Sequence, residues 1–115
     1  MTVIKQDDLI QSIADALQFI SYYHPTDFIR AMRGAWEREE SPAAKAALTQ
    51  VLVNSRMCAV GKRPICQDTG IVNVLISVGM DVQWDADMAF EDMINEGVRR
   101  GYTHPNNVLR GSVPV

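Results

Sequence analysis

Two Xaa-Pro breaks divide the N-terminal half of the chain into three amphipathic stretches, and this division constrains the fold more than any other feature. Over residues 7–23, Leu9, Ile10, Ile13, Ala14, Leu17 and Ile20 recur at helical spacing, with Phe19 beside them, and give one apolar face. Asp7 or Asp8 is placed to cap the start. His24-Pro25 ends the stretch, because a residue before proline is biased away from the helical region. A second helix starts at Pro25 or Thr26, with Phe28, Ile29, Met32, Ala35 and Trp36 as its buried stripe and Glu37-Arg38-Glu39-Glu40 as a solvated end. Ser41-Pro42 then reads as N-cap and first helical residue. The third helix carries Ala44, Ala47, Leu48, Val51 and Leu52 and ends near Cys58. Short connections between such helices imply an all-helical N-terminal layer.

The character changes at Gly61-Lys62-Arg63-Pro64, which reads as a turn. Ile71-Val72-Asn73-Val74-Leu75-Ile76-Ser77-Val78 is apolar and β-branched between Gly70 and Gly79, so a strand covered on both faces is expected there. A further helix follows, capped by Asp85 or Asp87. Met88, Ala89, Met93, Ile94 and Val98 point inward, Arg99-Arg100 stand near its C-terminal end, and Gly101 is the residue after it. Glu91, Asp92 and Glu96 read as a solvated face. The tail from Tyr102 is a loop or the beginning of another strand. The fold class is therefore α+β, mostly α: three helices, a loop, a strand and a further helix.

Apolar residues make up 47% and charged residues 22%, so the chain is globular in composition and not disordered. A net charge of −3 gives no nucleic-acid footprint. No apolar run is long enough to span a bilayer, and the N-terminus has no signal-peptide pattern, so a cytoplasmic protein is expected. With 115 residues, the chain has the size of one modest domain. Its two cysteines, Cys58 and Cys66, are neither a disulfide framework nor a CxxC pair. Cys58 lies on the apolar side of a helix end and reads as structural. His24 reads as a helix terminator. His104 also precedes a proline.

Cys66-Gln67-Asp68-Thr69-Gly70 places a thiol, an amide, a carboxylate and a hydroxyl in succession ahead of the apolar run. Buried without partners, such groups are costly, and a metal or an anionic substrate would satisfy them. Gly70 lets the backbone approach a ligand closely. On spacing alone, the run reads as a turn.

Pro64-Ile65-Cys66-Gln67-Asp68-Thr69-Gly70 resembles the cluster motif of class I, iron–sulfur-dependent fumarate hydratases. Asn54-Ser55-Arg56-Met57-Cys58 resembles the same family, as do residues 92–100 (Asp92 to Arg100), His104-Pro105 and Asn107-Val108-Leu109-Arg110-Gly111-Ser112. The resemblance spans nearly the whole chain. It implies a [4Fe–4S] cluster held by three cysteines with one iron open as a Lewis acid, an acid–base pair in the protein, and basic residues on the substrate carboxylates. Under it, Cys66 is a cluster ligand, Gln67 and Asp68 contact the substrate, Asp68 assists proton transfer, and Arg110 pairs with a carboxylate.

The family's enzymes are longer than this chain or pair an α with a β subunit. Residues 1–115 are thus expected to be an N-terminal portion of an α-type catalytic domain, inactive alone. Two cysteines are too few to hold a cluster by thiolates within one copy. The partners implied are a dicarboxylate or hydroxy-dicarboxylate substrate, the rest of the enzyme or a β subunit, and a further copy in a homo-oligomer. Two alternatives stand beside this reading. One is a tartrate dehydratase α region; the other is a non-enzymatic helical module using the faces around Trp36 and Trp84.

Overall fold

The structure is a computed structural model that describes residues 1–65 and 71–107. Its elements are β1 (Thr2–Lys5), α1 (Gln6–Tyr22), α2 (Thr26–Arg38), α3 (Pro42–Gly61), β2 (Val82–Asp85) and α4 (Phe90–Thr103). The described chain is mostly helical with one small sheet, as the sequence pattern implies. It packs as two units, residues 20–66 and residues 1–19 with 67–115.

In the unit of residues 1–19 and 67–115, β1 and β2 pair in parallel, with Thr2 opposite Val82 and Lys5 opposite Asp85. Ile10, Ala14 and Leu17 fall at i, i+4 and i+7 on one stripe of α1 and are buried with Met93 of α4. The approach of α4 to α1 depends on two glycines. A Cβ on Gly97 would stand 2.7 Å from Ile13 Cβ and 2.9 Å from the Ile10 carbonyl oxygen. A Cβ on Gly101 would meet Leu17 Cδ1 at 3.4 Å. Gln18 Nε2 donates to the Gly101 carbonyl at 2.7 Å. Gly101 is therefore a buried interior residue of α4, not the residue after it, because the tertiary contact needs its missing side chain.

The start of α4 also differs from the sequence pattern. Asp85 ends β2, and the helix begins at Phe90 behind an Ala89 N-cap with no side-chain cap. The backbone N–H groups of Asp87 and Met88 instead donate to Gln6 Oε1, at 2.8 and 3.0 Å. A glutamine from near the N-terminus thus ties down the connection ahead of α4, and no side chain caps the helix. Glu96 is not merely solvated either. Arg99 donates to it at 2.6 and 2.8 Å and Arg100 at 3.4 Å, while Arg100 also reaches Asp7 at 2.9 Å. The Arg99 hydrogen bond, partly opposed by burial, and then the charges of Arg99 and Arg100 bring the Glu96 pKa from 4.5 down to about 2.

The strand expected over residues 71–78 is not formed. These residues lie outside any ladder, with Leu75 fully exposed. The strand after the cysteine motif is β2, and it pairs with β1, a strand that no sequence pattern above implies. A β-rich sequence becomes a strand only beside a partner, and β1 pairs with residues 82–85.

In the unit of residues 20–66, α2 packs along α3. The Ser41 hydroxyl accepts from the Ala44 N–H at 3.4 Å, and Pro42 opens the helix, as the Ser-Pro pair predicts. Ala47 and Val51 of the expected stripe are exposed, and the buried residues of α3 are Ser55 and Cys58. Both tryptophans are half-buried and engaged. In this unit, Trp36 Nε1 donates to Thr49 Oγ1 at 2.8 Å, and Lys45 Nζ lies 4.2 Å from the Trp36 ring centroid. In the other unit, Trp84 packs edge-on against Phe90. Among the described residues, no helix is long and apolar enough to cross a membrane.

Candidate functional site

The residues leading into the cysteine motif are held closely. α3 ends in a left-handed residue, Lys62, at φ 50° and ψ 51°. The Cys58 carbonyl accepts from the N–H groups of Lys62 and Arg63, the latter at 3.0 Å. This closes the helix in the manner of a glycine C-cap, although the residue is a lysine. The chain then runs back toward α1. The Ile65 N–H donates to the Ser21 carbonyl at 2.8 Å, and the Ile65 side chain is 2% exposed. The Cys58 thiol, buried, lies 3.5 Å from the Pro64 carbonyl oxygen and 3.7 Å from Asn54 Oδ1. Arg63, Pro64 and Ile65 are thereby fixed by the ends of α1 and α3, directly before Cys66.

A second set of contacts steadies this frame. His24 Nδ1 and the buried Ser55 Oγ are hydrogen bonded at 2.9 Å, and the His24 ring stacks on Phe28 with centroids 4.6 Å apart. His24 does follow the end of α1, as the sequence implies, but it also ties the α1–α2 connection to α3. Sequence reasoning missed this pair. The available signal was a serine at position 55 on the stripe of Leu48 and Leu52, where a polar side chain needs a partner. His104, by contrast, stands at the C-cap of α4, and its Nδ1 accepts from the Asn106 N–H at 3.0 Å.

The electrostatics here are one-sided. Residues 41–65 contain Lys45, Arg56, Lys62 and Arg63 and no acidic residue. Arg56, Lys62 and Arg63 are exposed and make no ion pair among the described residues. A small dianion approaching this end of α3 meets positive potential.

The sequence-predicted site residues Cys66, Gln67, Asp68 and Arg110 lie outside the described residues. What the fold supplies is the support on the N-terminal side of Cys66. Cys58 is confirmed as a packed thiol turned onto backbone and amide oxygens.

The family model described as fumarate hydratase (Fumerase) matches residues 10–114. The chain belongs to the fumarate hydratase family. A protein of Methanocaldococcus jannaschii named as an L(+)-tartrate dehydratase alpha subunit is 26% identical over 88 residues, covering 76% of this chain and 31% of that relative. The chain thus spans about a third of the length of the curated relative it matches. No solved structure matches it.

Iron–sulfur chemistry, general among the class I members, can be weighed against the donors on hand. Among the described residues, no three His, Cys, Asp or Glu side chains are grouped to hold a metal ion. Cys58 is committed to packing. The described residues by themselves therefore hold no cluster site, and Cys66 lies outside them.

Proposed function

We propose that this chain is the N-terminal part of the α region of a hydro-lyase that adds water to, or removes it from, a C4 dicarboxylate. Fumarate to malate is the reaction favoured. The observation that carries the reading is the family match over residues 10–114, which encloses the Cys66-Gln67-Asp68-Thr69-Gly70 run. In this reading, Cys66 is the thiolate that the chain offers to a [4Fe–4S] cluster, whose open iron supplies Lewis-acid activation when bound.

This chain's own residues supply part of the remaining work. Asp68 assists the proton transfer at the carbon next to the hydroxyl-bearing one. Gln67 hydrogen bonds the substrate beside it. Arg110 pairs with a substrate carboxylate, a task suited to its planar fork of donors. The hydrogen bonds at Arg63 and Ile65 and the packing of Ile65 anchor the segment that carries Cys66. Because geometry matters steeply in such chemistry, this anchoring belongs to the catalytic apparatus even though it touches no substrate.

A second reading, an L(+)-tartrate dehydratase α region completed by a β subunit, is favoured by the name of the archaeal relative. Parallel assays of the complete enzyme with fumarate and with L(+)-tartrate separate the two. Turnover of fumarate well above that of tartrate is expected; the reverse order would assign the chain to the dehydratase, and turnover of neither would remove the hydro-lyase reading.

A further inference from the structure

The end of α4 leaves two carbonyls without their helical donors. The donor for the Gly101 carbonyl would be the N–H of residue 105, and Pro105 has none. The donor for the Tyr102 carbonyl would be the Asn106 N–H, which is turned onto His104 Nδ1 at 3.0 Å instead. Side-chain amides take both places. Gln18 Nε2 of α1 donates to the Gly101 carbonyl at 2.7 Å, and Asn107 Nδ2 donates to the Tyr102 carbonyl at 3.0 Å.

The two amides are also joined to each other. Gln18 Nε2 donates to Asn107 Oδ1 at 3.1 Å. The orientations follow from the partners: a carbonyl only accepts, so each amide nitrogen faces a helix carbonyl, and Asn107 Oδ1 is left facing the Gln18 donor. The Asn107 backbone N–H donates to the His104 carbonyl at 3.0 Å. Asn107 is half-buried and held through its backbone and both ends of its amide, to α1 and to the last turn of α4. These two helices already meet closely at Gly97 and Gly101.

We propose that Gln18 and Asn107 are positioning residues for substrate: their paired amides fix the point from which the chain runs on to Arg110, and so set how that guanidinium meets a substrate carboxylate. The inference rests on the role proposed for Arg110, three residues further on. Three residues reach at most about 11 Å, so little chain lies between the amide pair and the arginine to absorb an error. Bidentate pairing requires the planar fork to be aimed, not merely near. Water can serve the carbonyls of a helix end. Here a glutamine from α1, 83 residues away in sequence, serves one of them and binds the Asn107 side chain as well.

Steady-state kinetics of the complete enzyme test this, with whichever of fumarate and L(+)-tartrate it turns over faster. Asn107→Ala removes the joined amide and leaves the Gln18–Gly101 bond in place. Gln18→Glu keeps the size and loses the donors. Each should raise KM roughly tenfold, as loss of one charge-assisted hydrogen bond does, with kcat little changed and the visible absorbance of the reconstituted cluster intact. Arg110→Ala should raise KM at least as far, and adding Asn107→Ala to it should raise KM no further, because the two act through one contact. Circular dichroism verifies folding, and Asn107→Ala carries the test alone should Gln18→Glu unfold. Wild-type KM in Asn107→Ala beside a raised KM in Arg110→Ala would overturn this inference and leave the role of Arg110 standing. Wild-type KM in Arg110→Ala would remove that role and this inference with it. Effects of Asn107→Ala and Arg110→Ala that multiply in the double variant would also overturn it, since Asn107 would then act elsewhere.

Discussion

Gly97 and Gly101 stand one turn apart on α4, yet the same substitution at each has opposite expected effects. At Gly97 an added Cβ meets the Ile10 carbonyl oxygen at 2.9 Å, and backbone cannot swing aside. Overpacking of this kind costs about 1–3 kcal/mol, which outweighs the helix-propensity gain of roughly 1 kcal/mol from replacing glycine. Gly97→Ala is therefore destabilising. At Gly101 the nearest atom is the flexible end of Leu17 at 3.4 Å, so Gly101→Ala gains stability, by up to about 1 kcal/mol. Urea unfolding of the two variants reads the difference in sign. Glu96 makes a separate prediction. Its folded pKa is lowered, so its ion-paired form contributes stability that is complete above the ordinary carboxylate value of 4.5 and is lost as pH falls toward about 2. Melting temperatures measured across that window should decline less steeply for Glu96→Gln than for the wild type. Equal slopes would mean that the Arg99 and Arg100 contacts carry no linkage.

The C-terminus of α3 is the element that leads into the cysteine motif. Lys62 holds a left-handed conformation that costs an ordinary L-residue roughly 1–2 kcal/mol. Lys62→Gly should raise stability by about 0.5–1 kcal/mol after the greater chain entropy of glycine is subtracted, and Lys62→Val should lower it, since a branched side chain fits that region worst. Thermal denaturation of the two variants reads both signs. The helices themselves were legible in sequence because their causes are local. The bounds of α1, the proline break at His24-Pro25 and the Ser41-Pro42 start match within a residue or two, but Ile20 and Phe19 of the expected α1 face are exposed and no residue of the expected α2 stripe is buried. The strand expected over residues 71–78 was not formed, and the ladder formed instead between β1 and β2, because pairing depends on residues far apart in the chain. The same holds for Gln6 binding the connection at Asp87 and Met88 and for Gly101 lying inside α4: each is set by a partner distant in the sequence. At the site, the motif was plain in the residues. Its supports were not, since the Ile65–Ser21 and His24–Ser55 hydrogen bonds join segments that no local pattern relates.

For the whole molecule, the proposed function makes this chain one part of a hydro-lyase and has it offer one thiolate, Cys66, of the three that the resemblance implies. We accordingly expect no fumarate hydration by the 115-residue chain after anaerobic iron–sulfur reconstitution, measured spectrophotometrically beside a complete family member. Robust turnover would show that the chain is sufficient for catalysis. The two cysteines then offer the sharpest test of the account. Cys58 is buried against the Pro64 carbonyl and Asn54, whereas Cys66 is proposed as the cluster thiolate. In the complete enzyme, Cys66→Ala and Cys58→Ala should be compared by the visible absorbance of the reconstituted cluster. The account predicts that absorbance and hydratase activity vanish together in Cys66→Ala and that both persist in Cys58→Ala; an intact cluster in Cys66→Ala would contradict it.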